Sequence, residues 1–477
     1  MSKLIIQNGN MCELDLPLKF AQKLYNEFAI RHPNAFYLRT RQRGMQNWDG
    51  KIHYITKTGQ FKIGLLPKVY DMCIEMGIKP KVVDMRQPLP KVSKVVTNIG
   101  KYKLRPEQEK AVKSVINNRV GDTPFHIGVL DYTVNAGKTL IMSSLYLSYK
   151  KQLKTLLITN DSDWLNQARE EFKQYLPGED ITFVQGKVLN WSNFTIGMVQ
   201  SISRNMRFYQ KELSQIDMVL IDEADQGGSK QYQNVITRLF NTRIRIGLSG
   251  TIYMSKLAKD KVKNMNLECF FGKVIAEFKL KDSIKKGYST KTVVKMVPGK
   301  PWYGNWESDC ISYKEIYDDS ITNCYTAWLM AYNRLLWNLN QGRYPALVVC
   351  KHIAHCENLY KFFKKKLGDA YNIAYVHVNT PSKLRQQIMR DFREGKIDIL
   401  VSTTIIARGK NFPKLRYLLN AASMDSQEKS IQFLGRLVRT DSSKKKVYLD
   451  DLHYPGPYLN RHGKHRKQYY QRQELKV

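Results

Sequence analysis

Between about Tyr102 and Gly272, five apolar runs of strand length alternate with longer stretches of helical character: His126–Leu130, Thr155–Thr159, Thr195–Val199, Met218–Ile221 and Ile244–Leu248. Runs that are apolar throughout predict parallel strands buried on both faces, and their alternation with helices predicts βαβ units. A second block from about Phe278 to Asp451 repeats the pattern, with strands predicted at Ala346–Cys350, Ile373–Val376, Ile397–Ser402, Tyr417–Asn420 and Lys446–Leu449. The N-terminal stretch differs. Short runs at Leu4–Ile6 and Lys51–Ile55 accompany a helix predicted over Pro17–Ile30, and Pro88 and Pro90 then interrupt any regular element and mark a linker. The expected organisation is a small α+β domain at 1–95, two tandem α/β units with parallel sheets at 96–275 and 276–451, and a basic tail at 452–477.

Composition narrows the setting. The chain of 477 residues is 43% hydrophobic and 25% charged, which suits folded domains rather than disorder. Lys and Arg total 77 against 42 acids, a net charge of +35. So large an excess points first to a nucleic acid partner, although a solvated Lys-rich surface gives the same count. Seven cysteines form no CxxC pair and no Cys/His cluster of metal spacing, so reduced thiols in a cytoplasmic protein are expected. With neither a secretory-signal pattern nor an apolar run near the roughly 18 residues that span a bilayer, the expectation is a soluble, intracellular monomer.

Three motifs carry chemistry. After the strand ending at Leu130 come Thr133-Val134-Asn135-Ala136-Gly137-Lys138-Thr139, and a helix is expected from Leu140. A strand, a turn with Gly-Lys-Thr and a helix describe a P-loop: Asn135, Ala136 and Gly137 bring backbone N–H groups to phosphate, Lys138 reaches the β- and γ-phosphates, and the Thr139 hydroxyl holds Mg²⁺. Tyr132 stands where the general pattern has its first glycine. Asp222 and Glu223 close the run Met218–Ile221, at the strand end where open α/β sheets bind ligands. Asp222 would support Mg²⁺ and Glu223 would polarise the attacking water, while an acidic cap on the following helix is the plainer alternative. Arg436 and Arg439 are spaced to share one face of a helix, either as solvated surface or as a clamp for γ-phosphate charge, a role worth about 10³–10⁵ in rate.

The ordered set resembles the superfamily 2 helicases and translocases over about residues 100 to 450. That resemblance implies two RecA-like domains with ATP and Mg²⁺ as cofactors. It assigns adenine recognition to Arg105 and Gln108, coupling of hydrolysis to movement to Ser249, Thr251 and Gln432, and strand contacts to Thr159, Gln200, Ser201 and Thr403, with Gly409 near the nucleotide. Asp222-Glu223-Ala224-Asp225 spells the name of the DEAD-box RNA helicases, but Ser249-Gly250-Thr251 and Gln432-Phe433 depart from them. These variants are similar to the DNA-translocating branch that includes XPB-type and restriction-enzyme motors. Asn47-Trp48-Asp49-Gly50-Lys51-Ile52, followed by Gly64-Leu65-Leu66, resembles the N-terminal domain of tailed-phage recombination helicases. The implied activity is ATP-driven remodelling of branched DNA, including RNA–DNA hybrids, in the host cytoplasm.

Around that N-terminal segment Arg39, Arg41, Arg43, Lys51, Lys57 and Lys62 interleave with Tyr37, Trp48 and Tyr54. Arg41 and Arg43 would contact phosphates and Trp48 would stack on bases. The same residues also read as a half-buried strand over Phe36–Arg43 followed by a hairpin turn at Asn47–Gly50, with Trp48 in the core. Two other functions remain compatible with the motifs: an RNA helicase, and a nucleic-acid-binding protein whose nucleotide site is a switch with little turnover.

Overall fold

The structure is a computed structural model and describes residues 2–41, 44–149, 152–186, 191–252, 258–299, 312–407 and 412–477. Near the N-terminus, β1 (Lys3–Ile6), β2 (Met11–Asp15), β3 (Gln60–Lys62) and β4 (Lys81–Asp84) form a sheet in the order β3-β2-β1-β4. β1 is antiparallel to β2 and parallel to β4. The helix expected over Pro17–Ile30 is shorter, α1 (Leu18–Glu27), because Ala29–Arg31 pairs as a strand with Lys51–His53.

The half-buried strand reading of Phe36–Arg43 is corrected. Ala35–Arg41 is a helix, α2, in which Phe36 is 80% exposed and Ala35 is buried. Arginine, leucine and alanine all favour helix, and this propensity overrides the short alternation of polar and apolar positions. Nor does Asn47–Gly50 by itself make a hairpin turn, since the connection between the paired strands Ala29–Arg31 and Lys51–His53 contains α2 as well.

Two compact units follow from the contacts: Met1–Tyr132 with Gly137–Phe278, and Thr133–Ala136 with Lys279–Val477. In the first, β5 (His126–Tyr132), β6 (Thr155–Thr159), β7 (Ile181–Val184), β8 (Phe194–Met198), β9 (Met218–Asp222), β10 (Ile244–Ser249) and β11 (Val274–Phe278) form a sheet in the order β7-β8-β6-β9-β10-β5-β11. Its strand pairs are parallel. Every residue of β5, β6, β9 and β10 is buried, which is why these strands read as largely apolar runs even though His126, Asp131 and Arg245 lie within them.

The N-terminal sheet shares a core with this unit: Leu4, Ile6, Phe28, Phe61 and Leu66 lie in one apolar cluster with Val129, Ile158, Ile221 and Phe271. Gly64 permits the closest approach, for a Cβ there would sit 2.1 Å from the carbonyl oxygen of Glu268. Arg245, wholly buried in β10, donates from Nη2 to Gly9 O at 2.6 Å and Asn10 Oδ1 at 2.8 Å, and from Nη1 to Phe270 O at 3.2 Å. One guanidinium therefore ties the β1–β2 turn to the first large sheet.

In the second unit, β12 (Lys291–Pro298), β13 (Ala346–Cys350), β14 (Ile373–Val376), β15 (Ile399–Thr403), β16 (Tyr417–Asn420) and β17 (Lys446–His453) form a parallel sheet in the order β12-β17-β16-β13-β15-β14. Two of its helices are α3 (Gln427–Leu437) and α4 (Leu459–Arg472). α4 packs inward: Arg466 is fully buried and grips Asp451 through Nε at 2.9 Å and Nη2 at 2.8 Å, while Tyr470 and Asn420 also donate to Asp451. Among the described residues the six cysteines are free and buried, no cluster of three or more His, Cys, Asp or Glu side chains is placed to hold a metal ion, and no helix is long and apolar enough to cross a membrane.

Arg245→Met keeps the stem and strands three acceptors without a donor. The expected cost is about 2–4 kcal/mol, read as a lower urea midpoint for the unfolding of the first unit. His355 supplies a second test. It is buried, its Nδ1 is 3.0 Å from the Tyr317 hydroxyl, and burial, helped by the nearby His352, holds its pKa down at about 3 against an ordinary 6.5. A base whose folded pKa is depressed gives stability that is full above the unfolded pKa and is lost as pH falls toward the folded one. Between pH 7.5 and 5 this residue removes about 2 kcal/mol, so thermal melts should show a shallower acid loss in His355→Phe than in the wild type.

Candidate nucleotide and nucleic-acid site

Register at the carboxyl edge of the first sheet assembles the candidate site. Leu248 of β10 lies opposite Leu130 of β5 on one side and Asp222 of β9 on the other. The Thr133–Thr139 loop, the Asp222–Glu223 pair and the Ser249–Thr251 segment therefore leave the sheet at one level, as ligand-binding loops of open α/β sheets do.

The helix that follows the loop runs Lys138–Ser148, two residues earlier than the sequence suggests, so Lys138 and Thr139 occupy its first turn. Gly137 is left-handed at φ 71°, and a Cβ there would meet Gln108 Nε2 at 2.3 Å. Asn135 is also left-handed, at φ 64°, and its Nδ2 donates to Ser289 Oγ at 3.3 Å and Val438 O at 3.4 Å. Ala136 is buried in the same turn. Lys138 Nζ donates to the carbonyl oxygen of Tyr132 at 3.1 Å, which holds the ammonium beside the loop.

Tyr132 has a structural explanation. Its side chain is wholly buried, tilted against Phe278 at 6.0 Å between ring centroids, and its hydroxyl donates to Glu107 O at 2.8 Å. The position where the general pattern has a glycine is here the last residue of β5, with its ring packed in the core and only its carbonyl turned to Lys138. Gln108 is likewise buried in the helix Pro106–Ile116 and accepts through Oε1 from the Arg105 N–H at 2.8 Å, which sets the amide against Gly137.

Asp222 is 7% exposed; burial pushes its carboxyl above the usual range, and the positive charge of Lys138 opposes that shift. Glu223 sits at φ 53°, a left-handed conformation that costs a non-glycine residue free energy and is found at functional sites. Asp225, absent from the sequence-based set, accepts from Ser249 Oγ at 2.9 Å, and Ser249 Oγ is 3.1 Å from Thr251 Oγ1. The acid segment and the Ser249–Thr251 segment are thus joined by a direct hydrogen bond.

The expected strand-contact residues divide. Thr159 is 1% exposed and its hydroxyl accepts from the Asp161 N–H, so it acts locally as a turn cap. Gln200 and Ser201 lie on the short helix Val199–Arg204, where Gln200 Nε2 donates to Asn160 O at 3.3 Å and Ser201 Oγ accepts from the Gly186 N–H. Thr403 ends β15 and is buried, while its neighbour Thr404 accepts from Lys429 Nζ at 3.2 Å. Trp48 is half-buried and spends its indole N–H on Lys51 O at 2.9 Å, whereas Arg41 is exposed and lies over the Tyr37 ring at 5.0 Å. Arg43 and Gly409 lie outside the described residues.

Arg436 and Gln432 are on α3, with Gln432 Nε2 donating to Glu428 at 3.3 Å. The helical placement of Arg439 is corrected: α3 ends at Leu437, and Arg439 follows the Val438 cap, its carbonyl accepting from Thr290 Oγ1 at 3.2 Å. The two arginines do not share a helix face. The apolar pair Leu437-Val438 continues the sequence pattern past the point where the helix stops.

Comparison with known proteins adds the following. Residues 101–254 match the family described as type III restriction enzyme, res subunit, and residues 329–441 match the helicase conserved C-terminal domain. A candidate helicase of the Sulfolobus islandicus filamentous virus is 22% identical over 385 residues, 74% of this chain and 64% of that protein. The chain thus spans somewhat less than two thirds of that relative's length. The ATP-dependent DNA helicase uvsW of Enterobacteria phage T4 is 22% identical over 452 residues, 85% of this chain and 82% of that protein. The fold is shared with a fragment of a candidate HsdR subunit of a type I restriction enzyme from Vibrio vulnificus YJ016, with a TM-score of 0.56 at 16% identity over 73% of this chain and 64% of that one.

Two substitutions separate the loop's parts. Gly137→Ala places a methyl group against Gln108 in a left-handed residue, and binding of a fluorescent ATP analogue is expected to weaken at least about tenfold. Tyr132→Phe should leave that affinity unchanged and cost about 1 kcal/mol of stability through the lost hydroxyl bond.

Proposed function

We propose, for a chain that carries the two domains of a superfamily 2 helicase, that it is a nucleic-acid-stimulated ATPase that remodels branched DNA. The observation that carries this reading is the shared register that brings the Gly137-Lys138-Thr139 loop, Asp222–Glu223 and Ser249–Thr251 to one sheet edge. Support for DNA over RNA comes from the departures at Ser249-Gly250-Thr251 and Gln432-Phe433, the restriction-enzyme family match and the phage DNA helicase relative.

The residues present suit ATP and Mg²⁺. The left-handed loop leaves no room for a Cβ at Gly137, the Thr133 hydroxyl is buried without a hydrogen-bond partner, and the buried Asp222 carboxyl sits in a setting that a cation would favour. Thr139 and Asp222 would hold the metal, which supplies charge compensation at the phosphates. Lys138 reaches the phosphates, Arg105 and Gln108 orient the base, and Glu223 accepts a proton from the attacking water. Arg436 and Arg439 take the role of countering charge that develops during transfer. Ser249, held by Asp225, and Thr251 and Gln432 link hydrolysis to movement, and Gly409 belongs with the nucleotide contacts.

For the polynucleotide, Gln200 and Ser201 on the short helix after β8 and Thr403 at the end of β15 each suit a phosphate backbone, Thr159 caps the turn after β6, and Arg41 with Arg43 and Trp48 would form the N-terminal contact. The net charge of +35 favours long-range attraction to any polyanion. The setting proposed is phage recombination, repair or replication in a host cytoplasm, with the protein acting as a monomer.

Steady-state ATP turnover with single strands, duplex, forked DNA, RNA and RNA–DNA hybrids tests the reading. Forked DNA should raise the rate most, and Glu223→Gln should lower the stimulated rate by about 10²–10⁴ while leaving DNA affinity intact. If no nucleic acid raises the rate, the motor reading fails; if RNA raises it most, the DNA assignment fails.

A further inference from the structure

One turn past the acid pair lies Gln226, in the short 3₁₀ turn Ala224–Gln226. Its Nε2 donates to Oε2 of Glu223 at 3.5 Å, and its Oε1 accepts from Nδ2 of Asn160. Asn160 follows the last residue of β6, and its carbonyl oxygen accepts from Gln200 Nε2 at 3.3 Å. The Asn160 and Gln226 side chains thus run from the end of β6 to the carboxylate at the end of β9, and Gln200 at the end of β8 holds the Asn160 main chain.

The direction of this chain follows from its last member. An ionised carboxylate only accepts, so Gln226 turns its amino group toward Glu223 and its oxygen toward Asn160, and Asn160 must then spend an N–H on Gln226. Asn160 Oδ1 and Gln200 Oε1 are buried with no hydrogen-bond partner, so neither amide is fully satisfied in this arrangement. An incomplete arrangement of this kind is one that a new partner can reorganise. A phosphate oxygen only accepts, so it would engage the Asn160 amino group that now donates to Gln226, and rotation of the amide toward it would draw that group off Gln226.

We propose that Gln226 is a positioning residue that restrains Glu223 until a polynucleotide phosphate draws Asn160 away from it. The proposal rests on the ATPase reading above and on the placement of Gln200 and its neighbours along the strand path. In the resting arrangement the Gln226 N–H occupies a lone pair of Glu223 and so stands where the attacking water would have to donate. Release of Gln226 frees that lone pair for water. Hydrolysis is then slow without polynucleotide because its base is occupied, not because its nucleotide site is empty.

The test measures ATP turnover of the full-length chain at saturating ATP, with and without a saturating single-stranded DNA oligonucleotide. Gln226→Leu is expected to raise the DNA-free rate about three- to tenfold, the scale of one weak charge-assisted hydrogen bond, and to change the DNA-saturated rate less than about twofold. Asn160→Ala should act in the same direction, and the double variant should add nothing to either single one. Oligonucleotide affinity, read by fluorescence anisotropy, should be unchanged in Gln226→Leu. A DNA-free rate that stays the same, or that falls in proportion to the DNA-saturated rate, overturns the restraint, since a purely structural residue or an orienting one would give those results. A wild-type stimulation ratio in Asn160→Ala overturns the route to the polynucleotide even where Gln226→Leu behaves as expected. Absence of stimulation in the wild type is a different failure, that of the motor reading itself.

Discussion

The carboxyl edge of the first parallel sheet is the constraint on which the candidate site depends. Because Leu248 is in register with Leu130 and with Asp222, the phosphate loop, the acid pair and the Ser249–Thr251 segment emerge at one level from three adjacent strands. Register in these strands is not fixed by a buried face and a wet face, as both faces are covered. A slip of one residue at β9 would withdraw Asp222 from Lys138 and put Ile221 at the edge, so burial of a titratable Asp222 and correct register are one requirement.

What the sequence reveals follows from what burial does to composition. Strands covered on both faces are mostly apolar, so β5, β6, β9 and β10 stand out, and so do β13, β15 and β16 in the second unit. In the two large sheets three edge strands, Ile181–Val184, Val274–Phe278 and Lys291–Pro298, carry exposed or half-exposed positions and are not legible in the sequence, while the edge strand Ile373–Val376 keeps enough apolar character to be found. Phe278 shows the consequence. It pairs with Tyr132 at the end of β11, so the first unit extends past the change in pattern that marks the sequence boundary at 275.

At the site, motifs located the phosphate loop and the acids because their chemistry demands particular side chains in a particular order. They gave less for residues whose role is set by backbone geometry. Tyr132 looks like a defect in the loop when read as a letter, yet its contribution is a carbonyl oxygen, which any residue supplies, and its ring belongs to the core. Arg439 looks helical because Leu437 and Val438 continue an apolar period, but the cap at Val438 ends the helix first. Trp48 looks like a stacking ring, but its indole N–H is committed to Lys51. Asp225 and Gln226 carried no separate signal, since both are polar residues in a turn after an acid pair and only the hydrogen-bond partners distinguish them.

Those two residues suggest why the acid segment is polar for so long after its strand ends. An ATPase that hydrolyses only when engaged needs its base to sense something other than the nucleotide, and the nearest means is hydrogen bonding within the same unit. Asp225 faces Ser249, and Gln226 faces Asn160, so successive residues connect Glu223 to two different neighbouring strand ends. The left-handed backbone at Glu223 makes this divergence possible, for it turns the chain sharply enough that Asp225 and Gln226 point to opposite sides of β9, toward β10 and toward β6. The left-handed turn at Glu223 is thus followed by a hydrogen bond to the β10 end through Asp225 and one to the β6 end through Gln226, and Gln226 also donates to the Glu223 carboxylate.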